Sequence, residues 1–363
     1  MTTTAPYFPP LGEHWERVDA REVGWTEGAL VAAERYAADH HSSGLLVLCG
    51  GRILLERYWP AQGVLPPGMR GDPLLGGRVS EDVASMQKSI VSILVGIAIG
   101  KGLISLDDPV GRHVGAGWSA APADAEAAIT VRHLLTMTSG LDARLGYVAP
   151  PGTVWFYSLG ASYHTLKRVL SRAACMDLAD LTSAWLLKPV GMTETTWRTR
   201  ETGAGGPASS YPDGEPFEGL VTSARDLGRF CLAVLAGGTW GGTPLGLAEG
   251  YLASATAPSS ELNPSYGYLW WLNGQEGHRT PGGNRMVDGP LLPGAPSDLI
   301  AAQGAFDRLC HLVPSLDLAI VRLGGAPGQT VLGPSHFGSG LWDSLSGGAP
   351  PGRPFEAQQP EKN

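Results

Sequence analysis

The sequence predicts an α+β fold, an antiparallel sheet flanked by helices with a helical lobe inserted beside it. Short apolar strands in hairpin spacing stand near both ends of the chain, stretches of helical period fill the middle, and the run Ile90 to Ile99 is apolar on every side. Strands gathered from both ends into one sheet, with helices between, leave a cleft between two lobes.

The elements follow in chain order. Leu30, Val31, Ala33, Tyr36 and Ala37 give Thr26 to His40 the spacing of an amphipathic helix. Gly44 to Cys49 and Arg52 to Tyr58 read as two strands about a Gly50-Gly51 turn. The all-apolar helix after Ser85 has Gly102 as its stop. Helices are expected around Val131 to Met137, Ser162 to Ala173, Leu178 to Leu187 and Ala224 to Leu235, separated by Gly- and Pro-rich loops. Leu299 to Ala302, Leu309 to Val313 and Leu318 to Leu323 read as strands, with Pro314 to Asp317 turning the second into the third and a helix near Leu341. The implied organisation is an arm over 1–20, an α/β lobe built from 21–110 and 215–345, a helical lobe over 111–214 and a tail over 346–363. The first dozen residues and the last dozen are expected to be loose and to carry no chemistry.

Composition narrows the function classes. The chain has 363 residues, 43% of them hydrophobic, enough for a substantial core. Only 17% are charged and the net charge of -8 comes from scattered acids, which argues against a nucleic-acid partner. The apolar run from Ile90 is shorter than the roughly 20 residues a bilayer span takes, so no membrane association is expected. The opening residues lack a basic segment followed by an apolar one, which reads as cytoplasmic. Cys49, Cys175, Cys231 and Cys310 stand far apart in apolar stretches and are expected to be free core residues, with no disulfide and no zinc. No metal and no cofactor are expected, and adjacent His40 and His41 lack metal-site spacing.

The chemistry is concentrated in Ser85-Met86-Gln87-Lys88. At i and i+3 on a helix the two side chains share a face, so a lysine amine reaches the serine hydroxyl. Burial lowers an amine's pKa, which makes a desolvated Lys88 a proton acceptor at neutral pH. A serine at a helix start is also an ordinary cap, and S-x-x-K recurs by chance; a lysine at the mouth of a wholly apolar helix favours the catalytic reading, because it is costly there without a task.

The stretch VASMQKSIVSILVGIAIGKGLISLDDPV, Val83 to Val110, resembles the active-site helix of the class C β-lactamase, penicillin-binding-protein and esterase family. TVRHLLTMTSGL (Thr130 to Leu141), PPGTVWFYS (Pro150 to Ser158) and LVTSARDLGRF (Leu220 to Phe230) resemble further family segments in the expected order, over roughly residues 25 to 345. The resemblance implies a β-lactamase/transpeptidase-like fold and a serine hydrolase working through an acyl-enzyme. It also implies Tyr157 as a proton-sharing tyrosine and the N–H groups of Ser85 and Ala305 as an oxyanion hole. Where the family often has Asn two residues after the tyrosine, Leu159 stands, followed by Tyr163. Where its third motif usually begins with a cation, Ala302-Gln303-Gly304 stands. Leu159, Ala302, Gln303 and Gly304 are the implied substrate-contacting positions, and Arg308 is a candidate for supplying the missing charge.

Rival readings are weaker. A Ser-His-Asp triad needs G-x-S-x-G or a matching set, and Gly333-Pro334-Ser335-His336 is only a decoy loop. A non-catalytic binding protein on the same fold would have no need of Ser85, Lys88 and Tyr157 together. The expected substrate is a small ester or amide, with an esterase favoured over a β-lactamase and linear oligoamides or D-amino-acid peptides as alternatives. Trp155, Trp270 and Trp271 are expected either in the core or along an apolar pocket.

Overall fold

The computed structural model describes residues 6–62, 69, 71–200, 210–281, 285–328 and 336–348. The decoy at 333–335 and most of the tail lie outside the described residues. Helix α1 (Glu27–Asp39) starts where the Thr26 side chain accepts the Ala29 N–H. Strands β1 (Ser42–Cys49) and β2 (Arg52–Tyr58) meet at Gly50 and Gly51, both with positive φ, which a two-residue turn of this hand requires.

The main sheet also holds β7 (Ile300–Gly304), β8 (Arg308–Val313) and β9 (Leu318–Gly324), with a short edge strand β6 (Trp271–Leu272). Its order is β2-β1-β9-β8-β7-β6, antiparallel throughout, so chain ends more than 200 residues apart lie side by side. Register places Ala302 opposite Cys310 and Gly304 opposite Arg308. These four therefore face one side of the sheet, and Ala301, Gln303, Leu309 and His311 face the other. On one side lie α1 and the C-terminal helix α5 (His336–Ser346); Arg322 of β9 stacks on Phe337 there. On the other lie α2 (Gln87–Gly100) and α4 (Ala224–Leu235).

The apolar run of α2 is buried on all sides from Ile90 to Ala98, as a helix with no polar face must be. Gly102 ends it at φ 69°, with Leu103 N–H donating to the Ala98 carbonyl. The helical region contributes Val131–Leu135, α3 (Ala161–Ala174) and Leu178–Thr182, which continues through a π turn at Ser183–Leu187.

A second sheet was not legible in the sequence: β3 (Ser80–Asp82), β4 (Thr196–Thr199) and β5 (Glu218–Ser223), in the order β3-β5-β4. It joins a strand from the expected helical lobe to strands of the α/β lobe, so the two regions share backbone hydrogen bonds. The N-terminal segment also differs from expectation. Residues 6–20 are not loose: Tyr7 N–H donates to the Gly50 carbonyl, Val18 N–H to Ile53, and Trp15 is buried with its indole N–H on Gly51. Trp15 supplies the apolar area that holds the segment down. Cys175 also departs from expectation, being exposed at the left-handed cap of α3, whereas Cys49, Cys231 and Cys310 are buried; all four are free.

Candidate active site

Ser85 lies in a short 3-10 turn, Ala84–Met86, that feeds directly into α2. Lys88 follows one turn later, and its Nζ is 2.8 Å from Ser85 Oγ. The amine is 2% exposed and bracketed by two aromatic rings, Tyr163 at 3.9 Å and Tyr157 at 4.6 Å from the ring centres. Burial holds the Lys88 pKa well below the usual lysine range, and the positive charge of Arg200 lowers it further. Tyr157 is shifted in the opposite sense. Burial pushes its phenol up to about 12, while the neighbouring Ser85 hydroxyl and Trp271 indole offset part of the rise. Burial thus works in opposite senses on the pair, favouring the uncharged amine at Lys88 and the intact phenol at Tyr157.

Tyr157 is held by an aromatic cluster. It stacks on Trp271 at 5.5 Å and meets Tyr266 edge-on at 6.1 Å, with Trp155 closing the group. Trp270, by contrast, is a core residue stacked on Phe230. The segment bearing Tyr157 is tied down by the Phe156 N–H on the Met137 carbonyl and the Gly152 N–H on Thr138. Leu159 is 41% exposed and Phe156 36%, flanking the buried Tyr157 on the surface, and Tyr147 and Val148 of the same long loop are exposed as well.

The strand β7 brings its end to the turn bearing Ser85. A Cβ on Gly304 would lie 2.3 Å from the Val83 carbonyl oxygen, so only glycine permits this approach to the turn bearing Ser85. Ala305 follows immediately. The remaining positions of the strand are arranged differently from the sequence reading. Ala302 is 1% exposed, a core residue opposite Cys310. Gln303 faces the α1 and α5 side of the sheet, 5% exposed, with its amide 3.1 Å from His311 Nε2 and thus turned away from Ser85. Strand alternation forces that placement once Gly304 faces Val83.

Arg308 does not supply the missing charge. It is fully buried, its Nε donates to Glu81 Oε2 at 3.1 Å, and its Nη1 donates to the Ala305 carbonyl at 3.2 Å. A guanidinium already held by a carboxylate in the core is not available to a substrate. His40 and His41 are engaged by the backbone carbonyls of Tyr36 and Ala326. No group of three or more His, Cys, Asp or Glu side chains able to hold a metal occurs among the described residues. None of their helices is long and apolar enough to cross a membrane.

Sequence reasoning missed the buried polar shell beneath Ser85. Asp82 accepts two hydrogen bonds from Arg200, each 2.8 Å, and one from the Ala84 N–H. Lys167, one turn beyond Tyr163 on α3, donates to Gln87 Oε1 at 2.9 Å and to the Glu218 carbonyl at 2.6 Å. The i, i+4 spacing of Tyr163 and Lys167 on a helix was a legible signal for a shared face; the partners on β5 and α2 were not.

A putative 6-aminohexanoate-dimer hydrolase from Bacillus anthracis superposes with a TM-score of 0.63 at 16% identity, over 94% of this chain and 88% of its own. EstCE1, described as a hydrolase with promiscuous acyltransferase activity, gives 0.61 at 16% identity, over 88% and 98%. An uncharacterized protein of Alkalihalophilus pseudofirmus is 23% identical over 273 residues, 69% of this chain and 76% of its own length. The Beta-lactamase family model matches residues 32–324, which spans the sheet, the Ser85 helix and the Tyr157 loop together. The chain belongs to the beta-lactamase family of serine hydrolases.

Proposed function

We propose that this protein hydrolyses small neutral esters through an acyl-enzyme on Ser85, with small amides as slower substrates. The observation that carries the proposal is the 2.8 Å contact between Ser85 Oγ and a buried Lys88 amine. In the reaction, the Ser85 O–H gives its proton to the Lys88 amine as Oγ bonds to the ester carbonyl carbon. The carbonyl oxygen takes up negative charge facing the N–H groups of Ser85 and Ala305, the role assigned to an oxyanion hole. The bond to the leaving alcohol then breaks. That alcohol receives a proton through the Tyr157 hydroxyl, which is replenished from the Lys88 ammonium. Water repeats the sequence on the acyl-enzyme, Lys88 taking its proton, and the acid is released with Ser85 restored. The net reaction is ester plus water to acid plus alcohol.

Two features favour neutral substrates. The buried cations around the nucleophile are committed, Arg200 to Asp82, Arg308 to Glu81 and Lys167 to Gln87 and Glu218, so none of these three is offered to a substrate carboxylate. The surface beside Tyr157 is apolar, formed by Phe156 and Leu159. The descriptions of two structural neighbours, one a hydrolase with promiscuous acyltransferase activity and the other a putative 6-aminohexanoate-dimer hydrolase, agree with acyl chemistry of this breadth. The test compares kcat/KM for para-nitrophenyl acetate with that for a cephalosporin bearing its carboxylate. The expected result is a preference for the ester of roughly 100-fold or more, the size of two to three kcal/mol of transition-state binding. A preference for the cephalosporin overturns the substrate assignment.

A further inference from the structure

Strand β3 carries two consecutive carboxylates, Glu81 and Asp82, which are 1% and 3% exposed. Successive side chains on a strand point to opposite faces, so one short strand reaches in two directions. Asp82 holds the Arg200 guanidinium through two bonds of 2.8 Å, and its Oδ1 also accepts the Ala84 N–H at 2.8 Å. Glu81 holds Arg308 and accepts the Ser43 hydroxyl, while Arg308 Nη1 donates to the Ala305 carbonyl. Each carboxylate is thus linked to one of the two backbone segments that flank the reacting centre.

Those segments need holding. Ala84 has φ 50° immediately before Ser85, and Phe306 and Asp307 have φ 65° and 55° immediately after Ala305, a left-handed conformation that residues with a side chain seldom adopt. Arg322 adds a third tie, donating to the Phe306 carbonyl at 2.6 Å. Room has been kept for the first clamp: a Cβ on Gly219 would lie 2.2 Å from Asp82 Oδ2 and 2.7 Å from Arg200 Nε. Gly219 does not have a positive φ, so the backbone there does not itself ask for glycine; the clamp does.

We propose that the pairs Asp82–Arg200 and Glu81–Arg308 are positioning residues that fix the Ser85 and Ala305 N–H groups as a preorganised oxyanion hole. This rests on the acyl-enzyme reading given above. The pairs touch no reacting atom; they act by keeping two strained backbone turns aimed at one point, where a misplacement of about 1 Å costs on the order of 100-fold in rate. A purely structural pair would affect folding without favouring the transition state over the bound substrate.

The experiment uses the full chain and removes each pair without leaving a buried charge: Asp82→Ala with Arg200→Met, and Glu81→Gln with Arg308→Met. Steady-state kinetics with para-nitrophenyl acetate and the affinity for phenylboronic acid, whose serine adduct is tetrahedral and anionic, are read beside the melting temperature. In the folded double variants kcat and boronate affinity should both fall roughly 10- to 100-fold while KM moves less than about twofold. Replacing Asp82→Ala by Asp82→Asn in the first double variant restores an acceptor for the Ala84 N–H and should recover part of the loss. If a double variant does not fold, Arg308→Lys decides. It keeps the charge on Glu81 but cannot also reach Ala305 with a fixed fork, and it should lose about fivefold in both readouts. Folded variants with kcat and boronate affinity within about twofold of wild type overturn the clamp. Wild-type protein without Ser85-dependent turnover overturns the acyl-enzyme reading itself, and the clamp with it.

Discussion

Lys88 and Lys167 are two buried lysines in one core, and they differ in what their amines face. Both have pKa values held well below the usual range, by burial first and by Arg200 second. Lys167 donates to Gln87 Oε1 and the Glu218 carbonyl, and lies 4.3 Å from the Trp197 ring centre. Lys88 has a serine hydroxyl in front of it and aromatic faces around it. A carbonyl can only accept a proton-bearing donor; a hydroxyl can give its proton up. Burial alone therefore does not distinguish a lysine that braces a fold from one that takes a proton, and the partner does.

The largest effect that tests this contrast is Lys88→Met, which should lower kcat/KM on a neutral ester by about 10³-fold or more, since it removes the base for both half-reactions. Its melting temperature should stay level or rise, because the variant replaces a desolvated amine by an apolar chain of similar length. A melting temperature that falls as far as the activity would put Lys88 in the same class as Lys167. Tyr157→Phe should come next, with a loss of roughly 100-fold. The double variant Lys88→Met with Tyr157→Phe should be little worse than Lys88→Met alone, because members of one proton-transfer unit are not additive. Multiplied losses in a kinetic double-mutant cycle would separate the two.

The pH profile sharpens the contrast further. In the proposed mechanism Lys88 works unprotonated, so kcat/KM should fall about tenfold per unit of pH below the pKa of its ammonium, which lies well under the usual lysine value. Tyr157 keeps its proton up to about 12, so its ionisation should give no alkaline limb below pH 10. A steady rise of activity up to the ordinary lysine pKa would show that Lys88 is not desolvated. The smallest kinetic effect belongs to Lys167→Met. Activity should stay within about threefold of wild type, while two orphaned carbonyl acceptors cost roughly 1–3 kcal/mol each, visible as a lower urea midpoint. An activity loss comparable to that of Lys88→Met would break the distinction.

How much of this the sequence contained depended on whether a feature was local. The helix after Ser85 was legible because a run with apolar residues on every side has no polar face, and the i, i+3 spacing put Lys88 beside the serine. The hairpins at Gly50-Gly51 and Pro314 to Asp317 were legible from turn residues, and α4 matches its expected span of Ala224 to Leu235. The strands β3, β4 and β5 were not, because Ser80–Asp82 has three polar residues and draws its stability from pairing with Thr222 and Val221 far along the chain. The same non-locality hid the site's support. Nothing near Arg308 in sequence shows that Glu81 holds it, so a guanidinium that looked available for substrate is instead bound to the backbone of Ala305. Gln303 failed for a simpler reason: strand alternation fixes its face once Gly304 meets Val83, and the face it receives is that of His311 and Trp342.

In the proposed mechanism a covalent acyl group passes through Ser85. Its most direct test is rapid acid quenching of the protein during turnover of para-nitrophenyl acetate, followed by peptide mass mapping, with Ser85→Ala treated in parallel. An acetylated peptide containing Ser85 should form and decay with turnover, and Ser85→Ala with its fold intact should show neither adduct nor turnover. An adduct on another residue, or steady hydrolysis by Ser85→Ala, would contradict it.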